Sequence, residues 1–207
     1  MSYTIILVLI ISFIASLVRS TLGFGEYYVA VPLLILFLKV DVAVPLSVML
    51  SIIIALIIVI QDYRKIHFNS AKWLIFYAIP GIPVGVIILI YGSEFLVKTG
   101  LGVLIICYAL YTLFAKNNKR LKEDNMLWLF GCGFLSGVLG GAYGLNGPPL
   151  VVYGKLRQWS PKHFRATLQS YFLPVSFIAL IGYYANGLIT NEVQQYFLIS
   201  LTTVIPM

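Results

Sequence analysis

Thr21-Leu-Gly23-Phe-Gly25-Glu26-Tyr-Tyr-Val-Ala-Val-Pro32 and Val138-Leu-Gly140-Gly141-Ala-Tyr143-Gly144-Leu-Asn146-Gly147-Pro148-Pro149 are glycine- and proline-rich breaks in stretches otherwise apolar enough to lie in a bilayer. Non-helical backbone in hydrocarbon persists only where protein or a watery cavity satisfies its polar groups. Interrupted segments at matching positions of two halves point to a transporter's binding site. The chain therefore reads first as a small-solute permease.

Of the 207 residues, 60% are hydrophobic and 10% charged, where an ordinary globular chain carries about 25% charged residues. With a mean hydropathy of +0.97, the solvent must be lipid. The net charge of +7 would raise nucleic acid as a partner for a soluble protein. Here the basic residues fall in short loops, which reads as a topology signal instead. Cys107 and Cys132 lie inside apolar runs, so neither a disulfide framework nor a metal site is expected. The run from Tyr3 to Val18 lacks a preceding basic segment and a small-residue cleavage site, and reads as mature membrane structure.

Uninterrupted apolar runs cover roughly 42–60, 73–91, 95–114 and 166–186, each near the ~20 residues of a helical crossing, and another starts near Tyr196. Loop 61–72 holds Arg64, Lys65 and Lys72 against Asp62. Loop 115–125 holds Lys116, Lys119, Arg120 and Lys122 against Glu123 and Asp124, and loop 155–165 holds Lys155, Arg157, Lys162 and Arg165. These loops contain 11 of the 14 Lys and Arg residues, which places all three in the cytoplasm.

Segment 126–154 then lies between two cytoplasmic loops and must cross an even number of times. As helix it extends about 44 Å, short of the about 60 Å of two full crossings. It is expected to turn back near the midplane or to cross as two short, tilted helices. If segment 1–38 is a similar hairpin, Met1 is outside and the halves are inverted repeats. One broken crossing there would put Met1 inside and make the halves parallel. With a shift of 117, Gly23 falls on Gly140, Pro32 on Pro149 and Leu33 on Leu150. By the same logic the second half lacks its last span, so a full chain about 30 or more residues longer is expected.

Four stretches carry a family resemblance: Leu17-Val-Arg-Ser-Thr-Leu-Gly-Phe-Gly-Glu26, Val29-Ala-Val-Pro-Leu33, Gly137-Val-Leu-Gly-Gly-Ala-Tyr-Gly-Leu-Asn-Gly-Pro-Pro-Leu150 and Trp159-Ser-Pro-Lys-His-Phe-Arg-Ala-Thr-Leu168. In these the chain resembles the sulfite exporter TauE/SafE family of bacterial membrane permeases, over nearly its whole length. The resemblance implies a two-repeat permease of the cell inner (plasma) membrane moving sulfite, sulfonates or related organic anions. Where many relatives have a run of glycines, this chain has Gly25-Glu26-Tyr27.

The half-helices after the breaks, about 27–38 and 148–154, would present N-termini to an anion, with unpaired N–H groups and positive dipole ends. Gly23, Gly25, Gly144 and Gly147 allow close approach of a ligand, or else tight helix packing. Arg19 and Glu26 are the charges inside segment 3–38, and intramembrane charge is a functional hypothesis by default. Arg19 would pair with the substrate anion or with Glu26. Glu26 reads as a proton carrier, its ionisation opposed by burial and favoured by Arg19, or as half of a salt bridge that fixes the hairpin. Tyr143, which takes Glu26's place under the 117 shift, and Asn146 are candidate ligands. Gln169 reaches either the cavity or a neighbouring helix. Arg165 is assigned to the cytoplasmic charge ring, and Lys98, four residues after Glu94, to a surface pair.

Enzyme readings fail on motif. His67 and His163 form no His-Glu-x-x-His pair, and Ser136 lacks Gly-x-Ser-x-Gly spacing. No P-loop is present, and no cofactor is expected. The expected fold is an all-α polytopic membrane protein of two inverted repeats, each opening with a glycine-broken helical hairpin. Residues 1–114 form the first repeat, 115–125 a cytoplasmic linker and 126–207 the second repeat. Its partners are a small anionic solute, the lipid bilayer and, as an open option, a second copy as homo-oligomer, with no nucleic acid. The expected mechanism is alternating access with proton coupling at Glu26; a passive anion channel and a non-transporting scaffold are the alternatives.

Overall fold

A computed structural model describes residues 2–22, 24–62, 68–114, 121 and 125–204. Gly23 and most of the first two basic loops lie outside these residues. Among the described residues there is no strand, and the chain runs through α1 (Ser2–Leu22), α2 (Glu26–Leu34), α3 (Val40–Asp62), α4 (Phe68–Ala78), α5 (Gly81–Tyr91), α6 (Glu94–Phe114), α7 (Met126–Tyr143), α8 (Gly147–Leu156), α9 (Pro161–Ala185) and α10 (Asn191–Val204).

Helices α1, α3, α6, α7 and α9 are each long and apolar enough to cross a membrane. The apolar run 73–91 is not one rod: α4 and α5 meet at Ile79–Pro80 with a bend of 44°. Pro80 has no N–H to continue the helical ladder, which explains the interruption that hydropathy alone conceals. Caps, not hydropathy, set where α9 begins. Ser160 accepts the His163 N–H at 3.3 Å and Pro161 occupies the first turn, so residues 161–165 of the third basic loop are already helical.

The arms around each break are unequal. α1 and α7 are about 31 and 27 Å long, whereas α2 and α8 are about 14 and 15 Å. Each break is thus flanked by a long arm followed by a short one rather than by two half-length arms. The short arm packs back on the long one in both places. Leu156 O accepts the Leu121 N–H at 2.9 Å, and Arg157 Nη1 donates to Leu121 O at 3.1 Å. The ends of segment 121–157 therefore lie side by side, as an even number of crossings requires.

α3 packs along α9 at the centre, α4 packs on α7 and α9, and α10 packs on α1 and α3. α6 stands at the margin, with Leu96, Val103, Ile106, Leu110 and Leu113 exposed toward the lipid. α2 opens at Glu26 and α8 at Gly147, α3 at Val40 and α9 at Pro161, a shared offset of 121. Counted by these helix starts, Gly147 rather than Tyr143 falls 121 residues after Glu26.

The closest helix contact joins α7 to α4 and α5. A Cβ on Gly85 would stand 2.1 Å from Val138 O, one on Gly141 2.3 Å from Ile82 O, and one on Gly137 2.2 Å from Ala78 O. Gly81-x-x-x-Gly85 faces Gly137-x-x-x-Gly141, so main chain touches main chain. Small residues permit this approach between helices that lipid does not drive together.

Candidate functional site

The first break gathers a buried polar cluster. Arg19, in the last turn of α1, is fully buried, and Glu26, the first residue of α2, is 4% exposed. Gly25 joins them across the break with φ 101°, a left-handed conformation suited to glycine. Arg19 Nη1 forms an ion pair with Glu26 Oε1 and donates to Ser51 Oγ. Its Nη2 donates to Gln169 Oε1 at 3.0 Å, and Ser51 Oγ donates to Glu26 Oε1 at 2.8 Å. The guanidinium lies over the Phe172 ring, 5.5 Å from its centroid. Ser51 is midway along α3 and Phe172 nearly midway along α9, so the ion pair, and with it the break it spans, lies at the middle of these two helices.

Charge buried this deeply survives only with hydrogen-bonded partners. Here it is not fully satisfied: Glu26 Oε2 and Arg19 Nε are buried without a partner. Glu26 Oε2 belongs to a residue lining a small cavity of about 10 Å³ together with Ser12, Ser16, Ser47 and Ser51. Near the same break, Arg165 Nη2 donates to Thr21 O at 3.2 Å and Phe24 meets Phe164 edge-on. Arg165 thus caps the C-terminus of α1.

The second break carries no charge. Gly144 closes α7 at φ 72°, and its N–H is donated to Gly140 O at 2.9 Å. Ser136 Oγ donates to the Asn146 carbonyl at 2.6 Å and accepts from Tyr171 Oη at 2.8 Å, while Tyr183 Oη donates to Gly141 O at 2.8 Å. Two side chains, Ser136 and Tyr183, therefore hold the main chain of this turn, and Tyr171 holds Ser136. Two of the first three residues of α8, Pro148 and Pro149, have no N–H, which makes its N-terminus the poorer anion donor.

Of the residues that the sequence singles out, Arg19, Glu26 and Gln169 meet, with Gly25 beside them. Gly144 and Gly147 face the first turn of α2. A Cβ on Gly144 would lie 2.7 Å from the Tyr27 ring, and one on Gly147 would lie 3.5 Å from Tyr28 Oη. The two breaks are thus neighbours. Tyr143 instead turns its hydroxyl toward Gly100 of α6, and the Asn146 carboxamide lies over Gly140. Gly23 falls outside the described residues. Lys98 and Glu94 form the expected surface pair at 2.9 Å. Ser51 and Phe172 escape the sequence reading. The available signal is a pair of four-residue serine spacings, Ser12–Ser16 on α1 and Ser47–Ser51 on α3, all four buried.

Gly144→Ala is expected to cost about 1–2 kcal/mol from the left-handed backbone alone, and more because the Tyr27 ring must move. Thermal unfolding checks this against Gly187→Ala. Gly187 has φ 71° but open space around it, so it reports only the backbone contribution.

Apolar spans enclosing an ion pair and its hydroxyl partners define a multi-pass α-helical membrane protein with a polar site among its crossings. The chain belongs to the sulfite exporter TauE/SafE family, whose match covers residues 8–207, and its class is accordingly that of a membrane transporter. No curated protein and no solved structure matched the chain.

Proposed function

We propose that the chain is an inner-membrane permease for sulfite, a sulfonate or a related small organic anion, working by alternating access. The observation that carries this reading is the buried Arg19–Glu26 pair at the first glycine break, held at the middle of α3 and α9. Arg19 supplies the positive charge for the anion, and the positive dipole end of α2 adds to it. In the described state Glu26 holds that charge. Loading Glu26 with a coupling cation, a proton in the simplest case, releases Arg19 to the anion, so the two loads favour one another.

Residues 1–114 and 126–207 act as inverted repeats joined by a cytoplasmic linker at 115–125, each opening with a glycine-broken hairpin. The shared offset of 121 supports this, as does the matched packing of α4 on α7 and α9 and of α10 on α1 and α3. Central contacts favour inversion. Arg19 joins Ser51 to Gln169, whereas Tyr27 lies near both Val48-flanked Gly144 and Ser176. Moving up α9 therefore means moving down α3, the antiparallel relation that inverted repeats give to corresponding helices.

Proteoliposomes loaded with a panel of sulfite, sulfate, sulfonates and carboxylates test the reading. Glu26→Gln is expected to retain anion binding while uptake loses its pH dependence. Unchanged uptake and pH dependence in both Glu26→Gln and Arg19→Ala would overturn the assignment. Fluxes beyond about 10⁵ per second would favour a passive channel over conformational steps of microseconds to milliseconds.

A further inference from the structure

The Arg19–Glu26 pair is covered unequally in the two directions along α9. Arg165, Gln169, Phe172 and Ser176 follow one another at spacings of four, three and four, which puts them on one face of that helix. All four meet the region of the first break. Arg165 donates to Thr21 O, Gln169 accepts from Arg19, Phe172 lies under the Arg19 guanidinium, and Ser176 stands 3.5 Å from Tyr27 Oη. Arg19 and Gln169 are buried, whereas Arg165 and Thr21 are exposed. A guanidinium facing bare hydrocarbon is costly, so the surface at Arg165 is water or lipid headgroup. Wet surface therefore comes within one helical turn of Gln169, about 6 Å along α9. In the other direction about 24 Å of α9 separates Gln169 from Ala185. Main chain contributes to the cover there, where Tyr183 Oη donates to Gly141 O.

Two rings fill the thin side. Phe24 meets Phe164 edge-on with centroids 5.6 Å apart, and both residues are half-buried. Phe164 is firmly seated: it belongs to the capped first turn of α9 and rests on Gly154 of α8, where a Cβ would stand 2.7 Å from its ring. Phe24 is held differently. It lies outside the helices, next to Gly25 with its φ of 101°. Rotation about the Phe24 and Gly25 backbone can carry the ring off Phe164 without breaking a helix, as hinges at the ends of elements do.

We propose that Phe24 and Phe164 form the gate between the Arg19–Glu26 site and the face of the basic loop 155–165. With the rings in contact, water is kept from the ion pair. With Phe24 displaced, the site joins the wet surface at Arg165, whose charge suits an incoming anion. The use of this gate in anion transport rests on the permease reading; the gate itself rests on the contacts just described.

The test uses the full chain, reconstituted, with Ser51→Cys as a reporter beside Arg19. A membrane-impermeant anionic methanethiosulfonate is applied from the face at which Lys155→Cys reacts. Labelling of Cys107 and Cys132 is measured in the chain without the reporter and subtracted. Adding Phe164→Ala or Phe24→Ala is expected to speed reporter labelling by about tenfold, the order of shift that loss of an aromatic pair gives a two-state balance. Labelling of the buried Cys132 is expected to stay slow. A rate unchanged from the parent in both variants overturns the proposal. Acceleration from the opposite face overturns it too, as does acceleration matched at Cys132, the mark of general loosening. The two rings lie in different segments, so if one variant misfolds the other decides. Labelling needs no substrate, which separates it from the permease reading: if no anion of the panel is moved while labelling responds as expected, that reading falls and the gate stands.

Discussion

Arg19→Ala is expected to abolish anion transport and to destabilise the fold by about 3–5 kcal/mol, the penalty for stranding one charge of a buried pair. Glu26 would keep its hydrogen bond from Ser51 but lose the guanidinium that balances its charge. The double variant Arg19→Met/Glu26→Gln removes both charges at similar volume and is expected to regain most of the lost stability, since apolar replacement of a whole buried pair is often neutral. Transport should stay absent. Melting temperature and uptake, read on the same preparations, separate the two roles. If uptake returns with stability in the double variant, the pair is a strut and not a site.

Gly85→Ala is expected to be the most damaging single methyl in the molecule. Its Cβ would stand 2.1 Å from Val138 O and 2.7 Å from Ala142 N, both main-chain atoms that cannot rotate away. Overpacking of this kind costs about 1–3 kcal/mol and occasionally more. Gly141→Ala strikes the same contact from the other side, 2.3 Å from Ile82 O. Once either methyl has forced the helices apart, the second meets less resistance, so the double variant should cost less than the sum. Gly131→Ala and Gly102→Ala have open space at the added atom and are expected to be neutral or to stabilise by about 0.5–1 kcal/mol through helix entropy. Opposite signs for one chemical change would separate packing from propensity. Equal effects at all four positions would contradict the close seam.

The readable part of this molecule is what lipid and local chemistry dictate. Hydropathy locates α3 and α6 within two residues or so of their ends, because helix length in a bilayer follows its thickness. The glycine–proline breaks announce themselves because a turn in hydrocarbon needs residues that few other reasons would put there. Hydropathy is blind to the bend at Pro80, since no polar residue interrupts the apolar run there. The close seam is similarly hidden: Gly81, Gly85, Gly137 and Gly141 show their four-residue spacing only to a reader who knows which helices touch. Arg19, Glu26 and Gln169 were legible because polar groups in apolar runs need a cause. Ser51 was not, because a serine in a membrane helix is satisfied by its own backbone as readily as by a partner. Tyr143 and Asn146 looked equivalent to those residues from position in a motif. The Tyr143 hydroxyl stands beside Gly100 and the Asn146 carboxamide over Gly140, where position in the motif gives no sign of it.

The seam between α5 and α7 bears on how two halves could move. Side chains slide past one another by changing rotamer, but abutting peptide planes have no such freedom, and these helices belong to opposite halves of the chain. If the halves rock, this line must therefore serve as the axle. Displacement then grows with distance from it, toward α1, α2 and α10, where hydroxyls and a water-sized hollow take the place of clenched backbone.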